Sequence, residues 1–199
     1  MSQPRRGGQG MRTRGTLLRA GRRVIEERGY HAARINDITD AAQVSVGTFY
    51  THFQSKKDLF RHLLIQVEDE VYGELAEQRA AVDSPKARIR EANRLYFEAF
   101  RRNARFWAAI GEAALTDDDS RRVLAERRHY YRGRTTRALT RWQDRGVIAS
   151  DIEVVVAAEM LGAMTERCAY LWFVIGEPVE LEDAIESTTG LWLDALGLR

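Results

Sequence analysis

RINDITDAAQVSVGTFYTHFQSKK, residues 34–57, is the stretch on which the fold turns. Ile35–Ala42 reads as a short helix, Gln43–Ser45 as a break, and Val46–Phe53 as a second short helix that Ser45 can cap. This is the length pattern of a helix-turn-helix. Ile38, Ala41 and Ala42 supply small and apolar packing on the first helix. Val44 plugs the turn, and Phe49 and Phe53 stand four residues apart on the second. That leaves Val46, Gly47, Thr48, Tyr50, Thr51 and His52 to face outward. Two hydroxyls, a phenol and an imidazole beside Lys56 and Lys57 can all bond phosphate oxygens, and Gly47 lets a backbone approach closely. A helix of this size fits the major groove of a duplex, whereas the minor groove is too narrow.

Outward from this stretch the chain reads as all-α, with about nine helices. A first helix is expected from Arg12 to Arg28, carrying Leu17, Leu18, Gly21, Val24 and Ile25 on one face and stopped by Gly29. Ser55 with Asp58 forms a capping box for a long helix reaching about Ala80, with Leu59, Leu63, Val67, Val71 and Leu75 as its core stripe. A loop at Val82–Ser84 leads to Pro85, well placed at the first position of a helix with Ile89, Tyr96, Phe97 and Phe100. Phe106–Leu115 is a shorter helix. Asp117–Asp119 open another, with Leu124, Tyr131, Ala138 and Trp142, ending near Gly146. The helix at Ile152–Gly176 has two apolar faces, one the ladder Ile152, Val156, Met160, Met164, Cys168 and Trp172, the other including Val155, Leu161, Leu171 and Ile175. The last follows Pro178, with Leu181, Ile185, Trp192 and Leu196 inward.

Charge is unevenly spread. The net charge of +2 divides into +6 over residues 1–60 and −4 over the remainder, as expected for a polyanion-binding module joined to something else. The basic arm at residues 1–11, with Arg5 and Arg6, and Arg12 and Arg14 beyond it, are candidates for phosphate or minor-groove contact. No apolar run exceeds the eight residues Cys168–Ile175, far below the roughly 18–20 needed to cross a bilayer, and the first fifteen residues lack the apolar core of a signal peptide. With a single cysteine, the expectation is a soluble cytoplasmic protein without disulfides.

His31, His62 and His129 have no metal-ligand spacing, and no HExxH, His/carboxylate pair or phosphate loop points to an enzyme. Neither a metal nor a cofactor is expected. Cys168 on its apolar ladder reads as packing, and the run RRHYYRGR at 127–134 as a solvated helix face. The many aromatics of the larger region suit a ligand pocket as well as a core. Phe100, Trp107, Met164 and Trp172 are candidates for its apolar wall, with Glu112 and Arg134 to orient a polar head.

Gly29-Tyr30 followed by DITDAAQVSVGTFYTHFQSKKDLF, residues 37–60, resembles the N-terminal DNA-binding domain of the tetracycline-repressor (TetR) family of bacterial transcription regulators. The resemblance implies a three-helix DNA-binding domain, residues 12–58, on a ligand-binding and dimerisation domain, residues 59–199. It implies a homodimer on a palindromic operator in double-stranded DNA, acting as a repressor that a small-molecule effector releases. Thr48, Tyr50 and His52 match positions that contact DNA, and Lys56 matches a residue that anchors phosphate. Arg34, Asn36, Ser45, Val46 and Gly47 complete the expected DNA surface. The family pairs through its last two helices, and Val155, Leu161, Ile185 and Trp192 are the residues expected there. A ligand-independent architectural DNA binder would share this front end; an apolar cavity in the back end separates the two. In two places the chain departs from the family pattern. Arg34 stands where threonine is common, so its guanidinium could hold a phosphate in place of a cap. Gln43 replaces the turn glycine, at a cost of roughly 1 kcal/mol if the residue is left-handed.

Overall fold

Residues 6–77 and 84–198, the part described by a computed structural model, form nine helices. They are α1 (Arg6–Ala32), α2 (Ile35–Ala42), α3 (Val46–His52), α4 (Lys56–Glu77), α5 (Pro85–Arg102), α6 (Ala104–Thr116), α7 (Asp118–Asp144), α8 (Val154–Tyr170) and α9 (Leu181–Ala195). A π-helical turn, Leu171–Ile175, extends α8 until Gly176 ends it at a φ of 89°. Pro4, Arg5, the helix tail at 78–80, Val82 and Asp83 lie outside the described residues. So do the side chains of Arg6, Val71, Leu75, Asp119 and Arg127.

Local sequence accounts for most boundaries. Ser45 caps α3 and Ser84 caps α5, each accepting a backbone N–H at 3.1 Å. Asp117 caps α7 by accepting the Ser120 N–H at 2.8 Å. Ser55 accepts the Asp58 N–H at 3.1 Å, and the Asp58 carboxylate answers one residue further back than a capping box requires, on the N–H of Gln54 at 3.0 Å. Gly29 breaks the helical path within α1 at φ 78° and ψ 163°. A side chain there would be strained by the backbone, and its Cβ would stand 2.5 Å from Glu112 Oε2. The start of α1 differs from expectation: helix runs back to Arg6 through Gly7, Gly8 and Gly10, three poor helix formers that hide it from propensity.

Gln43 is the one described residue other than glycine with positive φ, at φ 55° and ψ 45°. It closes α2 while the Val44 N–H reaches back to the Thr39 carbonyl at 3.0 Å. Gln43→Gly is therefore expected to stabilise the protein by about 1 kcal/mol, read as a rise in the urea midpoint at unchanged m-value.

The chain divides into two compact units. One ends at Val67 and takes in Ala108–Arg121; the other comprises Glu68–Trp107 and Arg122 onward. The boundary expected after residue 58 thus falls later, within α4. The reason is burial: Leu59, Phe60, Leu63, Leu64 and Val67 are all 3% exposed or less. In the first unit Leu17, Ile25, Ile38, Phe49 and Phe53 are also fully buried, and α1 approaches α4 so closely that a Cβ at Gly21 would meet Leu59 Cδ2 at 2.6 Å. The second unit has two apolar clusters. One joins Ile89, Leu139, Trp142, Leu161, Leu193 and Leu196; the other joins Phe97, Phe100, Ala169, Ala184 and Ile185.

Candidate nucleic-acid interface and cavity

At seven residues, α3 is far shorter than a helix that is stable alone, so its surroundings must hold it. Its one buried residue is Phe49, with 0% exposure, whose ring lies 5.7 Å from that of Phe53. With Phe49 as the peg, the other residues of the helix are exposed or half-buried. Tyr50 is 55% exposed and Val46 39%; Ser45 and Gly47 are exposed, and Thr48 and His52 are half-buried. Thr48 Oγ1 lies 2.9 Å from Ser45 Oγ, so these two hydroxyls also serve the cap. Arg34 and Asn36 are exposed at the start of α2. Arg34 makes half of a capping box: its N–H donates to the Asp37 carboxylate at 3.0 Å, which also holds the Arg28 guanidinium at 2.7 Å. The Arg34 side chain takes no part in that cap.

Arg12 and Arg14, candidates for DNA contact from the sequence, lie at the start of α1, which adjoins this surface. A Cβ at Gly10 would lie 3.9 Å from His52 Cε1, and the Arg14 guanidinium sits 5.2 Å over the Phe53 ring. Met11 beside them is 75% exposed and Arg12 is exposed.

Lys56 departs from the role expected for it. Its ammonium donates to the carbonyls of Tyr30 at 2.7 Å, Ala33 at 2.8 Å and His31 at 3.4 Å, and lies 4.5 Å over the Tyr30 ring. All three N–H donors are engaged on the segment that leaves α1, so the side chain closes a helix end and presents no ammonium to a phosphate. Burial pushes its pKa below the ordinary lysine range, against the pull of Glu112. Beside it Lys57 pairs with Asp117 at 3.6 Å.

In the second unit α5, α7, α8, α9 and Trp107 of α6 line a cavity of about 220 Å³ that is partly open to solvent. Phe100 and Trp107 line it, as expected, and are stacked at 5.0 Å with 6° between their planes. Four other pocket candidates lie elsewhere. Glu112 sits five residues along α6 from Trp107, about 140° around the helix. It belongs to the first unit, where its carboxylate accepts the His31 N–H at 3.3 Å. Met164 packs on the cluster around Trp142, and Trp172 sets its ring against Phe97 at 5.5 Å. Arg134 does not share the stripe that α7 turns to the cavity, which is Leu124, Arg128, Tyr131, Arg132 and Thr135. The run at 127–134 is therefore more than a solvated face. Arg128 reaches Glu166 at 2.6 Å and Arg132 reaches Glu159 at 2.5 Å, and all four line the cavity.

Three of the four residues expected at a pairing surface are used within the chain. Leu161 and Ile185 are 7% and 1% exposed in its core. Trp192 lines the cavity and donates its indole N–H to Thr165 Oγ1 at 3.0 Å. Val155 alone is open, at 53%, with Val156 at 53% and Met160 at 67%. The latter two belong to one of the two apolar faces expected on this helix, whose buried residues are Ala158, Leu161, Thr165 and Ala169. Cys168 is half-buried, and burial pushes its thiol above the ordinary range, away from thiolate chemistry. Among the described residues no three His, Cys, Asp or Glu side chains gather as a metal set, and no helix is long and apolar enough to cross a membrane.

Known proteins resemble this chain in sequence and in fold. Residues 17–63 match the model of bacterial regulatory proteins, tetR family. The chain is 30% identical over 152 residues to the transcriptional regulator AcuR of Cereibacter sphaeroides, spanning 72% of this chain and 68% of that one. It is 26% identical over 198 residues to the transcriptional repressor KstR2 of Rhodococcus jostii, spanning 96% and 93%. In fold it resembles the fatty acid degradation regulator FadR of Bacillus halodurans, with a TM-score of 0.81 at 19% identity over 98% of this chain and 100% of that one. The helix-turn-helix around Phe49 and these relatives lead to one conclusion: the chain belongs to the TetR family of bacterial transcription regulators.

Proposed function

We propose that this regulator is a cytoplasmic, homodimeric repressor, without enzymatic activity, that binds a palindromic operator through α3 and is released by a small-molecule effector. The observation that carries the reading is the row Ser45, Val46, Gly47 and Tyr50, exposed on a helix whose single buried side chain fixes its rotation. Val46 and Thr48 stand where a helix in the major groove meets base edges; Arg34, Asn36, Tyr50 and His52 supply donors for phosphates or bases. Lys56 is left out of this set, because its donors are spent. The open apolar patch of Val155, Val156 and Met160 on α8, with Leu191 54% exposed on α9, supports pairing by an isologous contact. Such a pair must hold its two copies of α3 about 34–36 Å apart, one turn of DNA, or a whole multiple of it. The sign of regulation follows the name of the repressor KstR2.

The cavity supports a ligand-responsive protein over an architectural one. A ligand that favours by about 1.4 kcal/mol a dimer with the wrong spacing of its two α3 helices changes operator affinity tenfold.

Fluorescence anisotropy with an operator duplex tests the DNA surface. Tyr50→Phe removes one hydroxyl from an exposed ring and is expected to weaken every operator about tenfold at unchanged stability. Val46→Ala and Thr48→Ala are expected to alter base preference instead. Wild-type affinity and preference in all three would remove α3 from the interface.

A further inference from the structure

Resting on the pairing reading above, we infer that the open side of the cavity is walled by a second copy of this chain, packed antiparallel on α8 about a two-fold axis at Met160. The cavity and the open apolar patch meet on this one helix. Glu159, Gly162, Ala163 and Glu166 of α8 line the cavity, and the first three are exposed, so they mark its open side. Around the helix Ala163 stands about 20° from Val156, and Glu159 about 60° from it. Val156 and Met160 are 53% and 67% exposed. The rim of the cavity therefore continues into a face that the chain itself leaves uncovered.

What fits that face is its own copy. Its outward residues are Glu153, Val156, Met160, Ala163 and Arg167, all exposed. Glu153, Met160 and Arg167 recur at seven-residue intervals, as do Val156 and Ala163, so they form one stripe that drifts only about 20° per repeat. In a two-fold contact residue i meets j and j meets i. Reversing the stripe about Met160 sets Met160 on its own copy and Val156 against the smaller Ala163. It also sets Glu153, at the start of α8, against Arg167 near its end. A parallel contact would place Glu153 on Glu153 and Arg167 on Arg167, so charge selects the antiparallel one. Neither charge is spent within the chain. Glu153 makes no side-chain cap bond, and the Arg167 guanidinium lies 5.6 Å over the Tyr170 ring with no carboxylate beside it among the described residues. Packed helices are about 10–12 Å wide with axes about 8–10 Å apart, so a helix seated on this stripe overlies Ala163 and Glu159 at the edge of the cavity.

Sedimentation velocity of the full-length protein over a dilution series tests the register. Arg167→Glu and Glu153→Arg each turn two attractive contacts per dimer repulsive, and each is expected to raise the dimer dissociation constant at least about tenfold. The two exchanges together are expected to restore it to within about threefold of wild type. Both positions are exposed, so the core is untouched. The rim is tested in a Cys168→Ser background, which removes the chain's own thiol. There Ala163→Cys is expected to react with a water-soluble maleimide about tenfold more slowly above the dissociation constant than below it. A dimer indifferent to either reversal, or a double exchange that fails to restore it, overturns the antiparallel register. A thiol at position 163 that reacts equally in dimer and monomer overturns the walling of the cavity and leaves the pairing reading standing. A monomer at every concentration overturns the pairing reading and this inference with it, and leaves the face to a different occupant.

Discussion

Phe49→Ala is expected to destabilise the protein by about 3–5 kcal/mol and to abolish operator binding. Phe49 is 0% exposed and is the only buried residue of α3, so truncation both opens a cavity and frees the helix to rotate or fray. The cap at Ser45 remains, but one N-cap contributes only about 1 kcal/mol and cannot hold a seven-residue helix. Set against a typical stability of about 5–15 kcal/mol, the loss is large enough to be read in urea melts of the purified variant. Tyr50→Phe is the control, since it changes the exposed neighbour on the same helix and leaves the core alone. Equal stability and equal operator affinity for Phe49→Ala and wild type would show that something other than this ring positions α3.

The second large effect is at Lys56. Lys56→Met keeps much of the apolar stem and removes the ammonium, leaving the carbonyls of Tyr30, His31 and Ala33 without their donor. Hydrogen bonds to charged groups contribute about 1.5–3 kcal/mol, so an overall loss of about 2–3 kcal/mol is expected for a cluster in which contributions overlap. The decisive reading is the salt dependence of operator binding. A residue that neutralises one phosphate changes the slope of log K against log salt by about one when it is removed. A clamp on the end of α1 leaves that slope unchanged while stability falls. A slope change with full stability would return Lys56 to the DNA surface.

Much of this architecture is legible before folding because the signals are local. The turn at Gln43–Ser45, the pair Phe49 and Phe53, and Pro85 after Ser84 each specify their element through residues within one helical turn of it. The penalty expected for Gln43 depended only on a left-handed φ, and the residue has one. What sequence reading missed depends on partners distant in the chain. Lys56 resembles a phosphate anchor until the carbonyls 23–26 residues before it are brought to its ammonium. Arg128 and Arg132 look solvated until Glu166 and Glu159, 38 and 27 residues later, come alongside. Trp192 and Leu161 carry the apolar character of a pairing surface, but packing within the chain claims both. Glu112 has the chemistry to orient a ligand, but its carboxylate is held by the His31 N–H at the end of α1.

The central claim, that a pair of α3 helices reads DNA, is tested most directly by selection of the purified full-length protein on random-sequence duplexes, sequenced at two salt concentrations. The account predicts enrichment of an inverted repeat whose half-sites are centred one helical turn, or a whole multiple, apart, retained at the higher salt. Weak, salt-steep binding that enriches no inverted repeat, or no binding at either salt, would contradict it.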